Sequence, residues 1–249
     1  MSDANRFANL GFEDFRRLAQ DPELSRFERI GFPDAYRAGH EEAIFSDIRT
    51  KLTQLDSSAR CVVDIGPGCS DLPRMVIDHC ARMGHALHLV DSSEMLALLP
   101  DGPNVTKHAG RYPDLPALRN ALRGTVDVIV CYSVLHYVFL DMPLHRFVDA
   151  SLELLAPGGQ MLIGDIPNVS RRKRFFSSER GRQFHRSFMQ TDEDPPVTFN
   201  AIEPNQIDDA VMVGIVQRAR LAGFDAFIVP QHPQLPMANR REDILVVRP

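Results

Sequence analysis

The stretch Val62-Val63-Asp64-Ile65-Gly66-Pro67-Gly68-Cys69-Ser70 decides how the rest of the chain is read. Its apolar half reads as a strand buried on both faces. Gly66 and Gly68 then let the backbone turn sharply into a helix and approach a ligand closely. In open α/β sheets the crevice outside the carboxyl end of a strand is where ligands bind.

Working outward toward the C-terminus, apolar runs alternate with helical periodicity, the pattern of a parallel sheet covered on both faces. Strands are expected at Cys61–Ile65, Ala86–Asp91, Val105–Ala109, Val126–Tyr132 and 160–165, with helices at 71–82, 93–99, 115–122 and 144–155. A long insertion from Pro167 to about Asn200 follows. Ile207, Val211 and Ile215 then mark a helix opened by Glu203-Pro204 and closed by Gly223. Two strands at 226–229 and 244–247 end the chain, the first on an edge because Pro230 lacks a donor.

Toward the N-terminus there is no strand pattern. Ile44, Ile48, Leu52 and Leu55 recur at helical spacing, so one helix is expected from near Asp34 to Leu55, with a short amphipathic helix at 10–18. Residues 1–59 are read as an N-terminal helical cap, and 60–249 as one ligand-binding domain carrying the insertion at about 167–200.

The 249 residues are 44% hydrophobic and 24% charged, ordinary for a soluble domain. No run is long enough to span a membrane, and Met1-Ser2-Asp3-Ala4-Asn5-Arg6 is not a secretory signal, so a cytoplasmic protein without a membrane partner is expected. Cys61, Cys69, Cys80 and Cys131 lack zinc-ligand spacing; buried reduced thiols, and no metal, are expected. The net charge of −5 argues against general nucleic-acid binding. Residues 171–186 depart from it, with seven basic side chains and one acid.

A glycine turn alone fits many nucleotides. Its neighbours narrow the choice: Asp91, ending the second strand in Val90-Asp91-Ser92-Ser93, is placed to accept hydrogen bonds from both hydroxyls of a ribose. Asp64 and Asp71 flank the turn, where they would repel a pyrophosphate and suit a cation. A nucleoside with a positive end is expected.

With Val63-Asp64-Ile65-Gly66-Pro67-Gly68, Leu89-Val90-Asp91-Ser92-Ser93-Glu94-Met95-Leu96, Asp127-Val128-Ile129-Val130-Cys131-Tyr132-Ser133-Val134-Leu135-His136-Tyr137 and Leu154-Leu155-Ala156-Pro157-Gly158-Gly159 in this order, the chain resembles the class I S-adenosylmethionine-dependent methyltransferases. The resemblance implies a Rossmann-like α/β fold, a seven-stranded sheet with helices on both faces and the last strand antiparallel. It implies S-adenosylmethionine as cofactor, with Gly66 and Gly68 along its methionine and ribose, Asp64 toward its amino group, and Asp91 and Ser92 at the ribose. Met95 would lie at the adenine, and Tyr132 and Ser133 near the methyl-transfer centre. Pro157-Gly158-Gly159 would turn into the fifth strand. Two departures stand out: Ser70 replaces a frequent third glycine, and His108-Ala109-Gly110-Arg111 lacks the acid that often holds the adenine, for which Asp114 is the substitute.

Methyl transfer from a sulfonium is an in-line displacement that needs alignment above all. A hydroxyl acceptor wants a base; a neutral amine or acidic carbon needs only positioning. His136, in the loop after the fourth strand, is a candidate base or a cap; Asp165, ending the fifth, binds substrate or caps; His185 in the insertion is the second-choice base. Tyr137 either lines the pocket or packs. Of Tyr36, Arg37, His40 and Glu41, two are expected in solvent. The basic stretch, with Arg171, Arg172 and Arg174, favours a small or carrier-linked anionic acceptor such as a nucleotide-sugar. Three alternatives stay open: an RNA methyltransferase using Arg171 to Arg186, with Phe175 and Phe176 stacking on bases, a nicotinamide-dependent oxidoreductase, and a fold that binds without catalysing.

Overall fold

A computed structural model describes residues 10–201 and 203–249. The sequence before Leu10 lies outside the described residues. The chain opens with α1 (Phe12–Gln20), α2 (Asp34–Arg37) and α3 (Glu41–Lys51), then alternates β1 (Cys61–Ile65), α4 (Asp71–Met83), β2 (Ala86–Asp91), α5 (Ser93–Ala97), β3 (Val105–Ala109), α6 (Pro116–Leu122) and β4 (Val126–Tyr132). Next come α7 (Leu135–Asp141), α8 (Leu144–Leu152), β5 (Leu155–Pro167), α9 (Val169–Ser177), α10 (Glu179–Met189), α11 (Asp209–Leu221), β6 (Asp225–Pro230) and β7 (Arg241–Val247).

The seven strands order as β3-β2-β1-β4-β5-β7-β6, with β7 antiparallel to both neighbours. β7 is therefore interior and β6, ending in Pro230, is an edge, as the sequence led us to expect. Alternation along the strands sends Val63, Ile65, Ile129, Cys131 and Ile163 into one core with α6, α8 and α11. Val62, Leu87, Leu89, Val128 and Leu162 enter the other, with α3 and α4. Each such large side chain contributes roughly 1.5–3 kcal/mol on burial, so both sheet faces are strongly held. Cys69, Cys80 and Cys131 are buried, Cys61 is half-buried, and all four are free thiols.

Several expectations need correction. The helix expected from Asp34 to Leu55 is broken after Arg37, because Gly39 takes φ +80°; α3 restarts at Glu41, and a 3-10 turn, Thr53–Asp56, follows it. His136 and Tyr137 are not in a loop but in the first turn of α7. Pro157-Gly158-Gly159 does not precede β5; it is a bulge within it, where pairing jumps from Val126 opposite Leu155 to Val128 opposite Gln160. The insertion folds into α9 and α10, capped by the Asn168 and Ser178 side chains.

Candidate active site

A cleft of about 980 Å³, its mouth included, runs along the carboxyl ends of β1, β2 and β4. Its floor is the turn after β1. Gly66 and Gly68 adopt φ +69° and +68°, and a Cβ on either would come within 2.6 Å of a neighbour, Val134 Cγ2 or Ile30 Cγ2. Only glycine fits both the conformation and the space. Asp91 closes one side: its Oδ2 accepts from the Gly68 N–H at 3.1 Å and its Oδ1 from the Ser92 N–H at 2.7 Å. Burial raises the Asp91 carboxyl to about 6.

The roof comes from the start of the chain. Phe12, Phe15, Ile30, Phe32 and Arg37 face the turn across the cleft. Arg16 fastens α1 to α5 through Glu94, at 2.7 Å.

At the ends of β4 and β5 lies a buried polar network. Arg37 donates to the Ser133 hydroxyl and, at 3.3 Å, to Asp165 Oδ2; Ser133 donates to the same oxygen. Arg241 donates to Asp165 Oδ2 at 2.7 Å and to its carbonyl at 3.0 Å. Gln231 reaches Tyr132, Asp165 and Asp243, and Asp243 also holds the Asp165 N–H at 2.8 Å and Lys51 at 2.7 Å. Ser133 and Asp165 take φ +63° and +58°, a conformation costing of order 1–3 kcal/mol each, which persists because the network fixes both side chains. Burial pushes Asp165 up, but Arg241, Arg37 and Ser133 outweigh it and hold the carboxyl below its ordinary value. Opposite Asp165's strand neighbour, a Cβ on Gly164 would strike the Tyr132 ring at 2.3 Å, so that glycine admits the ring.

The fold gathers Gly66, Gly68, Asp91, Met95, Tyr132, Ser133 and Tyr137 around the cleft. Others fall elsewhere. Asp64 lies behind the turn, on β1 between β2 and β4; burial, then the Asp91 charge, raises it to about 8. Ser92 is buried and caps α5 by accepting from the Met95 N–H. Asp114 is exposed and paired with Arg146, while Gly110, Arg111 and Tyr112 border the cleft instead. His136 borders an adjoining cavity rather than this one, and burial, followed by Arg241 and Arg37, drives its pKa to about 3.

His185 lies on α10 against Phe176, away from both cavities. The basic stretch is largely neutralised: Arg171 pairs with Glu242, Arg172 and Lys173 with Glu203, Arg174 with Asp209, Arg182 and Arg186 with Asp194. The charges that made it a binding patch in sequence meet acids from distant segments, so Arg171, Arg172 and Arg174 do not border the cleft. None of Tyr36, Arg37, His40 and Glu41 is fully in solvent; Arg37 and Glu41 are buried. Glu41 is buried, which raises its pKa, and the Ser70 hydroxyl, the Arg37 charge and the Leu72 N–H beside its carboxylate oppose the rise without reaching close hydrogen-bond geometry. Sequence reasoning missed Phe32, Arg241 and Gln231, which have no local motif.

Neither a protein-family model nor a curated protein matches the sequence. Solved structures do match. The protein bound to the Trm112 methyltransferase activator of Haloferax volcanii aligns over 95% of this chain and 98% of its own, at 15% identity and TM-score 0.58. The plantazolicin methyltransferase BpumL, in complex with S-adenosylhomocysteine (SAH), aligns over 100% and 99%, at 12% identity and TM-score 0.58. The CurJ carbon methyltransferase aligns over 99% and 67%, at 13% identity and TM-score 0.59. Strand order, reversed β7 and these alignments, each over 95% or more of this chain, agree: the chain has the fold of the class I S-adenosylmethionine-dependent methyltransferases.

Proposed function

We propose that this protein is an S-adenosylmethionine-dependent methyltransferase acting on a small or carrier-linked acceptor. The observation that carries the reading is Asp91, whose carboxylate borders the cleft directly beside the glycine turn, accepting from the Gly68 N–H, the arrangement that suits a ribose. The cleft fits the cofactor in two further respects. A Cβ at Gly66 or Gly68 would fill its floor, and Glu41 keeps a buried carboxylate without a close hydrogen-bond partner beside Ser70, a favourable neighbour for a ligand with an ammonium group.

In this reading Gly66 and Gly68 admit the methionine and ribose, Asp91, oriented by the Ser92 N–H, holds the ribose hydroxyls, and Met95 lies against the adenine. Asp64, its pKa raised to about 8, is protonated at neutral pH and backs the turn as a neutral group. The bound cofactor supplies an electrophilic methyl on a sulfonium. Tyr132 and Ser133, pinned by Arg37, Asp165 and Gln231, shape the transfer centre and keep water out, so Asp165 acts by positioning. His136 stays neutral at ordinary pH.

The neighbours' names, a carbon methyltransferase and a plantazolicin methyltransferase, span different acceptors, so they support the reaction class rather than one substrate. The nicotinamide reading loses support from the sheet, since the dinucleotide fold orders its strands 3-2-1-4-5-6 without the reversed β7. The RNA reading loses support from the ion pairs of α9 and α10. Calorimetric titration with SAH tests the proposal: micromolar or tighter binding that Asp91→Ala weakens is expected, and absence of binding overturns it.

A further inference from the structure

Beside the cofactor cleft lies a second cavity, of about 1160 Å³ with its mouth, between the roof segment, α7 and the start of β7. The two share Phe32 and Tyr137 as a common wall. A group seated in the second cavity is therefore one aromatic ring away from the first. Its wall is unusually aromatic, with Phe32, Tyr36, His136, Tyr137 and Phe139 all bordering it. His136 and Tyr137 have ring centroids 3.9 Å apart, and the His136 Nδ1 is buried without a hydrogen-bond partner.

Two arginines also border this cavity, and they differ in what neutralises them. Arg241 is committed to Asp165. Arg240 has no carboxylate within 4.0 Å among the described residues; its guanidinium meets only the Asn239 amide oxygen, at 3.2 Å, and the Phe184 ring, at 6.0 Å. Burial, then the Arg241 charge, disfavours the Arg240 cation. A half-buried guanidinium without a counter-charge, in an aromatic cavity, is a site for one anion on a flat body, because a carboxylate takes two parallel N–H bonds while rings stack around it.

We infer that this second cavity holds the methyl acceptor, and that the acceptor is a small aromatic carboxylate whose anionic group pairs with Arg240 while its ring lies among Tyr36, His136 and Phe139. The inference rests on the methyltransferase reading and names the substrate class of that site. It relocates the anionic recognition first sought at Arg171, Arg172 and Arg174 to the one cation of this cavity that the fold leaves uncompensated.

The test titrates SAH-saturated protein with 4-hydroxybenzoate and with the neutral, equally shaped 4-hydroxybenzamide. The benzoate is expected to bind about tenfold or more tightly than the amide, the usual scale for a hydrogen-bonded charge pair. Arg240→Met should abolish that preference, Arg240→Lys should restore part of it, and Arg180→Met, on exposed α10, should leave it unchanged. Unchanged melting temperature and SAH affinity in Arg240→Met show that the fold and cofactor cleft survive. SAH binding with no benzoate preference, no binding of either probe, or a preference that persists in Arg240→Met overturns this inference alone. Failure of SAH to bind wild-type protein overturns the methyltransferase reading itself, and the acceptor assignment with it.

Discussion

The Arg37 guanidinium lies 3.3 Å from the Asp165 carboxylate, joining residues 128 positions apart whose side chains are 5% and 9% exposed. This pair ties the roof of the cleft to the carboxyl end of β5. Removing one member of a buried pair strands the other's charge, typically at about 3–5 kcal/mol. Asp165→Ala strands both Arg37 and Arg241 and puts alanine at φ +58°, so it should lose at least that much in urea unfolding. Arg37→Met leaves Asp165 paired with Arg241 and should cost less.

Asp91→Ala should weaken SAH binding by about 1–3 kcal/mol, the scale for unmaking hydrogen bonds to a charged acceptor. Calorimetry measures this directly, and an unchanged affinity would remove Asp91 from the site.

Asp64 gives a pH signature. Its folded pKa, about 8, lies above the ordinary 3.8, so the folded state holds that proton more tightly than the unfolded chain. The resulting destabilisation is absent below about pH 3.8, grows as the pH rises, and is complete above about 8. Asp64→Asn should therefore melt higher than wild type at pH 8 and converge with it toward pH 4. A difference independent of pH in thermal melts would contradict this.

Gly68→Ala combines a left-handed backbone, about 1–2 kcal/mol for a non-glycine residue, with a Cβ 2.6 Å from Ile30 Cγ2. It should stress the roof and weaken SAH binding. Ile30→Ala in the same chain should recover the steric share of the loss and leave the backbone share.

Arg172→Ala and Arg174→Ala break exposed ion pairs worth about 0–1 kcal/mol each, so stability should barely move. Fluorescence anisotropy with a single-stranded RNA should show no saturable, salt-dependent binding to wild type. Tight binding lost in both variants would revive the nucleic-acid reading.

How far the sequence revealed all this follows the range of the interactions. β1 to β4 match residue for residue: β1, β2 and β4 are largely apolar runs stopped by a glycine, a carboxylate or a turn, and the shorter, more polar β3 follows from its place in the strand–helix alternation. α7 was missed because Leu135-His136-Tyr137-Val138-Phe139-Leu140-Asp141 is nearly all apolar or aromatic and shows no polar face to set its period. Gly66, Gly68 and Asp91 were legible because their role is local to a strand end. Arg37, Gln231, Arg240 and Arg241 were not, since their roles depend on partners, or on the lack of one, far along the chain. Counting charges along residues 171–186 likewise found a patch that Glu203, Asp209 and Glu242 cancel in space.

Ile30 resting over Gly68, with Phe15 and Phe32 beside it, means that whatever occupies the cleft lies beneath the beginning of its own polypeptide. Two ion pairs fasten residues 12–37 over the cleft, Arg16 on Glu94 near one end and Arg37 on Asp165 at the other. The first is partly exposed and yields to salt; the second is buried and does not. Rising ionic strength should therefore loosen the Arg16 end of this segment and leave the Arg37 end fastened.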